Sequence, residues 1–105
     1  MKIKIPKYAK IEAKRALQKR NKLPKSERYG LTEDEAKVLG INSGVERAKQ
    51  IIRDNQLSKE DAKRVVAFYS RFKNCNTPKC EGSIKLWGGR KFGKRLSEKF
   101  RREED

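Results

Sequence analysis

The feature that most constrains this chain is a helix start followed by a long apolar stripe. Ser58 stands three residues before Asp61, and Ala62, Val65, Val66, Tyr69 and Phe72 follow at helical spacing. A Ser side chain accepts a hydrogen bond from a first-turn N–H that has no partner in the helix, and an acidic residue three positions on answers it. Leu57 and Ala62 are placed as the hydrophobic staple of the same start. The pattern predicts a helix over 59–73 with one apolar face.

The same signal occurs twice upstream. Ser43 with Glu46 opens a helix over 43–54 whose Val45, Ala48, Ile51 and Ile52 share a face. Thr32 with Glu35 opens a short one to about 39, where Gly40 is a left-handed stop. The spacing predicts a first helix over 7–20, with Ala9, Ala13, Ala16 and Leu17 as a thin stripe, ending before Pro24. Asn74 to Gly82 reads as a loop, Ser83 as the cap of a short helix carrying Ile84, Leu86 and Trp87, and Gly88-Gly89 as its break. A last helix over 90–102 places Phe92, Leu96 and Phe100 on one side. No segment alternates like a strand. The fold class is all-α: a small bundle of four to five short helices with a central helical hairpin made by 43–73.

Charge divides the chain. Residues 1–28 carry 11 basic and 2 acidic side chains, 29–61 carry 5 and 7, and 62–105 carry 13 and 5. The division predicts a basic N-terminal helix or arm over 1–28, a helical domain over 29–102 and an acidic end at 103–105. Leu, Ile, Val and Phe supply only 22 of 105 residues, so the core is modest and a net charge of +15 works against compaction. A polyanion would relieve that repulsion. Fifteen excess positive charges exceed what solubility needs, which points to nucleic acid. No apolar run is long enough for a membrane span or a signal peptide. A cytoplasmic or virion-packaged protein is the expectation.

The candidate phosphate contacts form three groups: Lys14, Arg15, Lys19 and Arg20 on the first helix; Lys63 and Arg64 on the 59–73 helix; and Lys85, Arg90, Lys91, Lys94 and Arg95 around Trp87. The helix pair over 43–73 reads either as a helix-turn-helix or as a plain hairpin. Asp54, Glu60 and Asp61 would then sit beside phosphates, and the turn has no Gly. Trp87-Gly88-Gly89 reads either as a phosphate cradle, with Trp87 or Phe92 stacking on a base, or as two core aromatics around a chain reversal. Cys75 and Cys80 are free thiols in a reducing compartment, a local disulfide under oxidant, or half of a zinc site shared with a second chain. The chain has no His, hence no Ser-His-Asp or Cys-His arrangement, and no cofactor or metal is expected. It reads as a non-enzyme.

One resemblance adds to this. Gly44-x-x-Arg47-Ala48, Leu57-Ser58, Phe68-Tyr69-x-Arg71, Leu86-Trp87-Gly88-Gly89 and Gly93-Lys94-Arg95 occur in that order. The set resembles a small helical domain of tailed-phage and prophage proteins over residues 43–96, except that Cys-x4-Cys replaces a His-containing charged loop. The family carries no assigned activity, so no active residue transfers. The resemblance implies a viral or mobile-element origin, with Arg47, Arg71 and the Trp-Gly-Gly turn in the structural framework. The expected role is a phage-like accessory protein holding nucleic-acid phosphates, DNA favoured over RNA. The alternative is an interaction module for an acidic host or viral protein, as a virion component or inhibitor.

Overall fold

The computed structural model describes residues 2–30, 34, 37 and 43–104. The Thr32–Glu35 capping box and the Gly40 stop lie outside the described residues. The chain is mostly helical, with five helices and a two-stranded sheet among the described residues.

Strand β1, Lys2–Lys4, pairs antiparallel with β2, Gln56–Ser58, Ile3 facing Leu57. These strands were not expected, because three residues are too few for alternation to stand out from a charged background. Alternation is nonetheless present: Ile3 is buried while Lys2 and Lys4 face outward. The Ile5 amide extends the pairing to the Asn55 carbonyl at 2.9 Å.

Helix α1, Lys7–Lys22, follows Pro6 and buries Ala9, Ala13 and Ala16. Small residues on that face allow close approach, and α2 (Gly44–Arg53) and α4 (Pro78–Leu86) both pack on α1. Ile3, Ile5, Ala9, Ala13 and Ala16 thus join the same core as the helices that follow. Leu23 ends α1 in an extended conformation, as Pro24 requires. A 3-10 turn, Lys25–Glu27, then turns the chain back, and the Tyr29 hydroxyl donates to the Ala16 carbonyl at 2.6 Å.

The predicted caps of α2 and α3 (Lys59–Phe72) are in place. Ser43 accepts from the Glu46 amide at 3.0 Å, and Ser58 from the Asp61 amide at 3.1 Å. The two helices are joined through β2 rather than by a tight turn, and each packs mainly elsewhere: α2 on α1 and α4, α3 on α5 (Arg90–Glu104).

Helix α4 starts earlier than expected. Thr77 caps it by accepting from the Cys80 amide at 3.2 Å, with Pro78 at the first helical position. Thr-Pro lies within the predicted 74–82 loop, but a Pro directly after an N-cap is a helix start, since its missing N–H is one that no helix would satisfy there. Cys75 and Cys80 are joined in a disulfide, one of the three states their sequence left open. Helix α5 buries Phe92, Leu96 and Phe100 against α3.

Candidate polyanion-binding cleft

Lys91, Arg95 and Lys99 recur at four-residue spacing on α5, one position before the buried Phe92, Leu96 and Phe100. A cationic stripe offset by one residue from a core stripe must run along the edge of the core. What lies across that edge is β1 and the start of α1. Between them is a cleft of about 590 Å³. Its floor is apolar, formed by Ile3, Ile5, Pro6, Phe92 and Leu96, and its cations are Lys4, Lys7, Lys10, Arg95 and Lys99. No carboxylate lines it among the described residues.

These cations have different commitments. Lys10 donates to the Ile52 carbonyl at 3.1 Å and to the Asp54 carbonyl, so it serves the C-terminal end of α2, where a cation suits the helix dipole. Lys4, Lys7, Arg95 and Lys99 form no ion pair with a described residue. Tyr8 forms part of the wall, with the Lys91 ammonium 4.6 Å and the Arg95 guanidinium 5.7 Å from its ring centroid. The Tyr8 hydroxyl is buried and has no hydrogen-bond partner among the described residues.

The expected contacts are scattered by comparison. Lys14, Arg15 and Lys19 are exposed on α1, Lys63 on α3, Lys85 on α4 and Lys94 on α5, and none of them lines the cleft. Arg20 is not on the surface at all: it is buried, and its Nε donates to the Tyr29 carbonyl at 2.6 Å. Helical spacing already marks it: Arg20 follows Ala9, Ala13 and Ala16 at i+4, i+7 and i+11, so it shares their buried face, which the returning 25–30 segment covers at that end. Arg64 is exposed but paired with Asp61 at 2.9 Å. Arg90 is held by Glu81 and by the Lys73 and Cys75 carbonyls, so it ties the 73–77 loop to α4 and α5. The hydrogen bond from Arg90 keeps the Glu81 carboxyl below its ordinary pKa and raises that of Arg90. Arg95 and Lys91 alone of the expected residues reach the cleft or its wall. Lys4, Lys7 and Lys99 were missed, although the four-residue spacing of Lys91, Arg95 and Lys99 was available as a signal.

The Trp-Gly-Gly element is structural. The Gly89 amide donates to the Ile84 carbonyl and the Gly88 amide to the Lys85 carbonyl, both at 3.0 Å, with φ of +102° at Gly88. This is a Schellman stop of α4, and its N–H groups are already used. Trp87 is buried, stacked on Phe68 with centroids 4.5 Å apart and 7° between planes, and the Arg47 guanidinium lies 5.1 Å from its centroid. Trp87 and Phe92 are therefore core, not base-stacking platforms. The depression beside the turn includes Glu12 and Glu81, which would repel a phosphate. Arg47 is inside the fold as expected, whereas Arg71 is exposed.

Among the described residues no three metal-ligating side chains cluster, and no helix is long and apolar enough to cross a membrane. Comparison with known proteins finds no matching family model, no similar curated protein and no similar solved structure.

Proposed function

We propose that this chain is a non-enzymatic, phage-type accessory protein that binds nucleic acid through its phosphates. What carries the reading is the convergence of two basic segments, far apart in sequence, on one cleft free of carboxylates among its described residues. Phosphate affinity depends on several cations close together whose charge is not already spent on acidic neighbours. Lys4, Lys7, Arg95 and Lys99 meet that condition, while Arg64 and Arg90 do not. Lys14, Arg15, Lys19, Lys63, Lys85 and Lys94 add a general positive field that brings a polyanion in. The Arg64–Asp61 pair and the acidic Glu60 at the start of α3 weigh against a sequence-reading helix there. A host-cell cytoplasmic or virion-packaged location goes with this role.

The test is fluorescence anisotropy of labelled DNA across salt concentrations. Four phosphate contacts on duplex predict a loss of affinity of roughly a hundredfold between about 50 and 200 mM salt. Absence of binding to any DNA or RNA at low salt defeats the proposal and favours an acidic protein as the partner.

A further inference from the structure

The shape and lining of the cleft suggest which form of nucleic acid it takes, given the phosphate-binding reading above. We infer that the cleft receives one unstacked nucleotide of a single strand, with phosphates on the Lys4, Lys7, Arg95 and Lys99 rim and the base against Tyr8 and the apolar floor.

Three observations carry this. First, a duplex keeps its bases stacked inside and is too wide to enter a pocket that seats one small ligand, so only an unstacked nucleotide can use the pocket's interior. The cleft is concave, and its volume of about 590 Å³ falls in the range of small-ligand sites. Second, its floor is apolar. An apolar floor under a cationic rim suits a ligand with a flat apolar body and a charged edge, which is a splayed-out nucleotide. Third, the wall contains an aromatic ring whose hydroxyl lacks a partner. Buried polar groups are nearly always satisfied, so a donor left alone beside a cleft marks a place where another group belongs.

Tyr8 also provides a route for binding. Lys91 and Arg95 lie over its ring. Arg95 lines the cleft and is exposed, so phosphates arriving at the rim attract it away from the ring, while Lys91 stays on the side of the depression that holds Glu12 and Glu81. The ring is then uncovered toward the cleft, and the hydroxyl can donate to a ligand oxygen. Cation and aromatic thus exchange partners on binding, with no change in the backbone.

The test uses the full chain and two probes of one sequence: a labelled oligothymidylate of about 12 nucleotides, and the same strand annealed to its complement. The account predicts at least tenfold tighter binding of the single strand at equal salt. It also predicts that Tyr8→Leu weakens single-strand binding about tenfold and leaves duplex binding within twofold. Thermal melting reports whether the variant is folded, and the single-strand preference of the unaltered chain decides the matter if it is not. Equal or tighter duplex binding overturns the inference while leaving phosphate binding intact. Failure to bind either probe defeats both.

Discussion

Arg47 and Asp61 show how much of this fold depends on single charged residues. Arg47 lies against Trp87, pairs with Asp61 at 3.2 Å and bonds Gln50, while Gln50 donates to the same carboxylate at 2.9 Å. Asp61 thereby joins the first turn of α3 to the inner face of α2. Burial alone would raise its pKa, but the hydrogen bond from Gln50, the charge and hydrogen bond of Arg47 and the hydrogen bond from Arg64 outweigh burial and lower it. A carboxyl depressed in the folded state stabilises it above the ordinary value near 4, and the stabilisation is lost as pH falls through the lower folded value. Asp61→Asn should flatten the fall in melting temperature on acidification below about pH 4, and should cost about 1–3 kcal/mol at neutral pH. An unchanged acid profile would show that the pair contributes nothing. A second residue-scale expectation concerns Gly93, where a Cβ would lie 2.5 Å from the Tyr69 ring. Gly93→Ala should destabilise by about 1–3 kcal/mol in a denaturant titration, by prising α5 from α3.

At the scale of elements, one irregular stretch among the described residues is heavily fastened. The loop from 73 to 77 is held by the Cys75–Cys80 disulfide, by Arg90 on two of its carbonyls, and by Thr77 capping α4. Closing so short a loop constrains the unfolded chain only moderately, so Cys75→Ser with Cys80→Ser should cost about 2 kcal/mol or less. Hydrogen exchange should then quicken over 73–80 first, with α1 and α2 unaffected. Elements governed by local chemistry were legible in the sequence: the Ser43 and Ser58 caps, the Pro24 stop, the glycine break and the stripes of α2, α3 and α5. Elements governed by distant partners were not. Lys2–Lys4 becomes a strand only because Leu57 lies across from Ile3. The start of α4 was hidden because Thr-Pro has opposite meanings in a loop and at a helix N-terminus. The cleft was partly legible: Arg95 was expected, but its meeting with Lys4 and Lys7 depends on how distant segments of the chain pack.

For the whole molecule the governing quantity is the +15 charge and its placement. Without a ligand, the melting temperature should rise as salt screens self-repulsion; with nucleic acid bound, salt should lower it by releasing the ligand. The central claim, however, concerns place rather than total charge. Two triple reversals separate these: Lys4→Glu, Lys7→Glu and Lys99→Glu at the cleft, and Lys14→Glu, Arg15→Glu and Lys19→Glu on exposed α1. Both remove the same charge from exposed positions. The deciding measurement is the anisotropy titration of both against single-stranded DNA at one low salt concentration. The account predicts that the cleft reversal lowers affinity roughly 50-fold or more and the α1 reversal less than fivefold. Equal losses would contradict it, and would make the protein a diffuse cationic surface without a site.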